Sequence, residues 1–252
     1  MSIQTMSIEE KRKLYTDWMR TLHDRKVAET CKKVARFGYT DEDDYHFLVP
    51  PDGYDWRPAG DTPNGDFHGY RGWSENFRDM VASFPPVVVS QSAMAGNFFR
   101  ILQKFRKLRW HENWDLSPYQ EQIDRYGIDH GLGQMHHFCG DARIALAFGW
   151  GGLRGKVEHY AAINNQTEEQ RSFYKAELLF LDTCIGWIDR TIACIREKAE
   201  AESDPLLREN LQGMLRANEA VRTAPPRTLR EACQMISWYN IFGRSFNREG
   251  AG

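Results

Sequence analysis

A helix start written near the end of the chain constrains the fold most. Pro225 and Pro226 break whatever precedes them, Thr228 offers a hydroxyl cap, and Glu231 stands three residues on, where a capping box places its carboxylate. A helix is therefore predicted from Leu229 to Phe242. Its apolar positions Leu229, Cys233, Ile236, Trp238, Ile241 and Phe242 suit a wide buried stripe, which demands a large partner surface. The residues after Phe242 are too few to supply one, so the expectation is an exposed apolar patch around Trp238, Ile241 and Phe242.

Other helices follow from spacing and caps. Ser7 to Phe37 carries Leu14, Trp18, Leu22, Val27, Cys31 and Val34 at near-helical intervals, which predicts one or two amphipathic helices. Gly38 to Gly72 changes character to clustered Asp, Gly and Pro, the chemistry of turns, with enough aromatic residues to argue against free disorder. A short helix is predicted over Trp73 to Phe84, stopped by Pro85 and Pro86, with Val87 to Val89 a brief strand or an extended link. Ala93 to Trp110 reads as a further helix with Met94, Phe98, Ile101, Leu102, Phe105 and Leu108 inward and a basic outer face. In the second half, Asp141 to Ala162, Glu168 to Glu200 and Pro205 to Val221 have helical length and pattern, with Thr167–Gln170 a capping box and Asp204 a cap before Pro205. The fold class is mainly α.

The net charge of −2, from 33 basic and 35 acidic residues, gives no global field for nucleic acid or an anionic membrane. Five cysteines without Cys-x-x-Cys spacing argue against disulfides or structural zinc, and the charged N-terminal segment shows no apolar signal region. A reducing, cytoplasmic setting is expected. Cys184 and Cys194 read as small buried groups.

The densest polar cluster runs from Asp129 to Asp141 and joins His130, His136, His137 and Cys139 with glycines just before a helix, where backbone approaches a ligand closely. His136, His137, Cys139 and Asp141 are metal-ligating types, but adjacent histidines in an extended segment point to opposite sides and no second ligand group has a recognised spacing. Metal is not expected. Cys139 beside a histidine has the composition of a nucleophile, with nothing to show that its thiol is activated. The histidines could equally serve only loop backbone groups.

Pro225, Pro226, Arg227, Thr228, Glu231, Ala232, Gln234 and Trp238 resemble a landmark of the glycyl radical enzymes, the pyruvate formate-lyase-like family. Two further segments are similar to that family. His137, Asp141 and Gly152-Leu153-Arg154-Gly155 look like its Gly-His, Pro-Asp and Gly-Leu-x-Gly arrangement, with Met135, His136 and Gly140 departing from it. Phe173 to Ala176 open a helix similar to its Phe-Tyr-x-Ala helix. The likeness covers residues 127–252, whereas 1–126 is divergent, so the chain is expected to be one partial pyruvate formate-lyase-like domain.

The resemblance implies outer helices and the beginning of a ten-stranded β/α barrel, truncated. It implies that His136 or His137 contacts substrate and that Asp141 caps the following helix. Family members pass an unpaired electron from a backbone glycine to a loop cysteine, whose thiyl removes hydrogen from substrate. Neither a Cys-x-Glu loop nor an Arg-Val-x-Gly-Tyr-like loop occurs in these 252 residues, so no catalytic residue is assigned. The expected activity is that of the N-terminal fragment of a radical lyase or dehydratase of anaerobic metabolism, inactive alone. No dissociable cofactor is expected in the chain; the glycyl radical would lie in the missing part, installed by an S-adenosylmethionine-dependent iron-sulfur activating enzyme. Expected partners are that enzyme, a small polar organic substrate and a second copy in a homodimer of the parent. The alternative is a non-catalytic helical interaction protein.

Overall fold

The computed structural model of the chain describes residues 2–38, 48–61, 65–105, 117–127 and 140–247. Among these the regular structure is helical throughout, with α1 Ile8–Phe37, α2 Gly69–Ala82, α3 Gln120–Tyr126, α4 Ala142–Ile163, α5 Glu168–Ala201, α6 Pro205–Val221 and α7 Leu229–Asn247. The predicted mainly-α class holds. No strand occurs among the described residues, so none of the expected barrel appears among them.

Helix α5 is the axis. Thr167 and Gln170 close the predicted capping box, and the 34 residues that follow span about 50 Å. Helices α2, α4 and α6 all pack on it. Its buried positions Leu181, Cys184, Trp187, Ile188, Ile192 and Ile195 recur at three- and four-residue steps, the spacing of one wide apolar face. Arg190, from the same helix, donates to the carbonyls of Val81 (2.6 Å), Ala82 (3.0 Å) and Phe84 (3.3 Å), at and just past the C-terminus of α2. Asp204 caps α6 as predicted, accepting from the Leu206 N–H at 2.8 Å, with Pro205 in the first turn.

Helix α1 is a single 30-residue helix, opened by a Ser7–Glu10 capping box and stopped at Gly38, which is left-handed at φ 81. It buries almost none of its own surface, Lys33 being the one buried side chain. Polar contacts tie it down: Val49 N–H donates to Glu29 at 3.2 Å, Arg36 to the Pro50 carbonyl at 2.6 Å, and Ile3 N–H, just before the helix, to Glu209 at 2.8 Å. Helix α2 starts at Gly69, four residues before the predicted Trp73.

The helix predicted over Ala93 to Trp110 does not form in its described part. Residues 93–101 are irregular, with bends at Ala93, Met94 and Phe99, and the only regular turn in the described part is a 3-10 turn at Leu102–Phe105. The apolar spacing is real, since Phe98, Phe99, Ile101 and Leu102 are buried, but other elements satisfy this backbone better than a helix would. Lys198 donates to the Val88 carbonyl (2.7 Å), Asn210 to those of Ser90 (2.7 Å) and Ser92 (2.8 Å), and Arg230 to that of Ala93 (3.1 Å). At Ala95 the Gln234 amide grips both groups, donating to the carbonyl at 2.8 Å and accepting from the N–H at 2.9 Å. Gly96 follows at φ 118, where a Cβ would overlap the Ile241 Cδ1 methyl. Val87 to Val89 is accordingly the extended link of the two predicted forms.

Helix α7 extends five residues past the predicted end at Phe242 and turns a different face inward. Gln234, Met235, Trp238, Ile241, Phe242 and Ser245 are buried, whereas Leu229 is 82% exposed, Cys233 exposed and Ile236 38% exposed. The expected open patch around Trp238, Ile241 and Phe242 is therefore covered, by α4, α6 and the 93–105 segment of this same chain. Rings account for much of that cover: Trp238 stacks on Phe242 at 5.3 Å and meets Trp187 at 5.9 Å, and Trp150 meets Phe242 edge-on at 5.0 Å. The Trp238 N–H donates to Asn218 Oδ1 (2.8 Å), and Asn218 Nδ2 donates to Gln234 Oε1 (3.1 Å), so these fully buried polar groups satisfy one another. Replacing Gln234 with Leu leaves both backbone groups of Ala95 buried without a partner. We expect Gln234→Leu to lower unfolding stability by about 3 kcal/mol, read as a lower urea midpoint at an unchanged slope; a loss below about 1 kcal/mol would show that the link re-forms its bonds elsewhere.

Candidate functional site

The predicted substrate-contacting residues His136 and His137, with Cys139, Asp129 and His130, lie outside the described residues. The structure does show what brackets them. On one side α3 ends at Gly127, a left-handed cap with φ 58. On the other, Gly140 lies beneath Tyr239 of α7 so closely that a Cβ would overlap the phenol oxygen and come within 2.7 Å of two ring carbons. A larger residue there would have to displace the Tyr239 ring, which gives a packing reason for glycine at a position where the resembled pattern commonly has proline.

Asp141 caps α4, as the resemblance implies. Its Oδ1 accepts from the Arg143 N–H at 3.0 Å, and its two oxygens take a bidentate pair from the Arg143 guanidinium, both at 2.9 Å. These bonds, the guanidinium pair first, hold the Asp141 carboxyl below the usual carboxylate range. An acid already committed to a helix end and an arginine is a poor general base.

The predicted Gly-Leu-x-Gly turn is helical at residues 152–155; the break comes three residues earlier, at Gly149, with φ 62 and ψ 171. Its cause is contact with the approach to the proline pair. A Cβ on Gly149 would stand 2.5 Å from the Ala224 carbonyl carbon and 2.7 Å from the Pro225 nitrogen, and the Gly151 N–H donates to the Thr223 carbonyl at 2.8 Å. Trp150, between them, is buried against Phe242. Two segments singled out separately by resemblance thus touch backbone to backbone. Beyond the kink, Arg154 binds Glu158 of its own helix and Asp182 of α5 (2.6 Å), which raises its pKa further and locks α4 to α5.

Several landmark residues have structural roles. Glu231 N–H donates to the Thr228 hydroxyl at 3.3 Å, while the Glu231 carboxylate accepts from the Arg227 N–H at 2.7 Å, one residue earlier than a standard capping box. Gln234 and Trp238 belong to the buried network. Cys184 is fully buried and Cys194 partly so, and burial pushes both thiols up, away from the thiolate that reactivity requires. No group of metal-ligating side chains occurs among the described residues, and no described helix is long and apolar enough to cross a membrane. The close backbone approach at Gly149 was missed from the sequence; the run Gly149-Trp150-Gly151-Gly152 was the available signal.

Residues 127–251 match the family described as pyruvate formate lyase-like. Across that half the chain belongs to this family of glycyl radical enzymes. Among curated proteins the chain is similar to the isethionate sulfite-lyase of Desulfovibrio desulfuricans, 34% identical over 82 residues, which is 32% of this chain and 10% of that protein. It is also similar to the isethionate sulfite-lyase of Bilophila wadsworthia, 28% identical over 115 residues, or 44% of this chain and 14% of that protein. Among solved structures, the glycerol-bound form of the B12-independent glycerol dehydratase from Clostridium butyricum shares the fold over 70% of this chain and 29% of that one, with a TM-score of 0.54 at 11% identity. The chain thus spans 10% and 14% of the two curated relatives and 29% of the solved structure. Because residues 127–252 are only half of it, a likeness over 70% reaches into the divergent first half.

Two glycines of α4 separate packing from propensity. We expect Gly149→Ala to cost about 3 kcal/mol or more through overlap at the Ala224 carbonyl and the left-handed φ. Gly155→Ala, with no neighbour within 4 Å, should instead gain about 0.5 to 1 kcal/mol and raise the melting temperature. Equal effects at both sites would refute the docking of α4 on the 223–225 turn.

Proposed function

We propose that the chain is a helical portion of a glycyl radical enzyme, a lyase or dehydratase acting on a small polar organic substrate, and that it is inactive without the remainder. The observation that carries this reading is the family match at residues 127–251, in which the loop before α4 and the Pro-Pro-Arg-Thr helix fall within one matched stretch. The names of the similar proteins favour cleavage of a C–S bond or dehydration over acyl transfer to coenzyme A.

In this reading the chain's own residues position rather than react. Gly127 and Gly140 flank residues 128–139, and Asp141 caps α4 just after them. His136 or His137 donates to or accepts from polar groups of the substrate, with ring nitrogens suited to either role. The radical chemistry would come from a cysteine loop and a glycine loop that these residues do not include, activated by an S-adenosylmethionine-dependent iron-sulfur enzyme. A homodimer and a cytoplasmic setting belong to the same proposal.

The covered face of α7 is also what a self-contained, non-catalytic helical protein requires, so packing alone does not choose between the readings. Activity does. Incubated anaerobically with a family activating enzyme and isethionate or glycerol, the chain alone is expected to give no sulfite, no dehydration product and no organic radical signal in electron paramagnetic resonance. Supplemented with a polypeptide carrying both missing loops, it should turn over, and His136→Ala or His137→Ala should then lower kcat/KM by about tenfold to a hundredfold, the loss of one or two substrate hydrogen bonds. Turnover by the chain alone without activation, or full activity of both histidine variants, would sink the proposal.

A further inference from the structure

A cavity of ≈ 440 Å³ lies between α2, α5 and the end of α7, bordered by Tyr70, Trp73, Ser74, Glu177, Phe180 and Phe246. Four of its walls are aromatic rings, and they are fixed by one another. Phe246 lies 5.0 Å from Trp73 and 5.1 Å from Phe180, and Tyr70 meets Phe173 at 5.2 Å while its hydroxyl donates to Glu169 at 2.8 Å. Glu177 is the one carboxylate on the wall, and no basic residue lines the cavity among the described residues. Every other acidic residue described at this end of α5 has a partner: Glu168 pairs with Arg171, Glu169 with Tyr70 and Asp182 with Arg154. Among the described residues Glu177 has neither hydrogen bond nor ion pair.

From this juxtaposition we propose that the cavity is a binding site for an organic ammonium ion, with Glu177 as counter-charge and the aromatic rings as the apolar wall. A carboxylate beside aromatic rings attracts a cation twice, by charge and by the ring quadrupole. Glu177 is exposed, so an entering cation can reach it from solvent, and what burial there is pushes its carboxyl up. An anion would meet repulsion from Glu177, and a neutral apolar guest would gain nothing from its charge. The ammonium group could be that of a free amine or of a lysine side chain on another polypeptide; the chemistry is shared. The site does not rest on the proposed activity.

The test is titration calorimetry of the intact chain at constant ionic strength. The probes are tetramethylammonium, n-butylammonium, Nα-acetyl-lysine methylamide and the neutral tert-butanol. Saturable 1:1 binding of at least one cation is expected, with no binding of tert-butanol. Glu177→Gln, which removes the charge while keeping the shape and breaks no hydrogen bond, should melt as the parent does and weaken cation binding at least tenfold. Glu75→Gln, a change at an exposed carboxylate paired with Arg71, should leave binding unchanged. Preference for the alkylammonium salts points to a free amine, and preference for the lysine amide to a side chain. Absence of saturable binding, or equal affinity in Glu177→Gln, overturns the proposal.

Discussion

The amide of Gln234 is the interaction on which the packing depends. It satisfies both backbone groups of the buried Ala95, and Asn218 and the Trp238 indole extend the same network. Extended backbone is costly to bury because each N–H and C=O needs a partner. Here side chains on three helices supply them, and the link can pass through the core between α2 and the rest. Without this clasp, Phe98, Phe99 and Leu102 would have no fixed position against α7, and the aromatic cluster around Trp187, Trp238 and Phe242 would lose one wall.

The clasp also explains which parts of the fold were legible. Helices α5 and α6 were readable to within a residue or so at their marked ends because local chemistry determines them: a Thr167–Gln170 box, an Asp204 cap, a proline in the first turn. The segment from Ala93 misled because its apolar spacing fits a helix and the competing bonds come from residues more than a hundred positions away, which no local pattern encodes. The same blindness applied to α7. Counting apolar residues placed Cys233 and Ile236 inside, whereas the buried polar Gln234 turns the helix so that its own side faces the core.

At the candidate site the legible features were the irregular ones. Asp141 as a cap was implied by the family resemblance and corresponds to a contact in the structure, whereas Gly140, a departure from the resembled pattern, is explained by its contact with Tyr239. The meeting of Gly149 with the turn at 223–225 did not follow, since two segments over seventy residues apart carry no sign in sequence that they touch. Family resemblance supplied the function class where residue chemistry could not, because burial pushes the Cys184 and Cys194 thiols away from reactivity and Asp141 and Asp182 are committed to a cap and an ion pair.

The break at Gly149 has a mechanical meaning. A helix transmits force through its ladder of backbone bonds, and at Gly149 that ladder is interrupted, with the Gly151 N–H anchored outside the helix on Thr223. The short first part of α4 thereby has its own ladder, separate from that of the longer second part, which Arg154 ties to the central helix. The joint is held from outside: the turn before the proline pair, not the helix's own bonds, sets the point at which α4 changes direction.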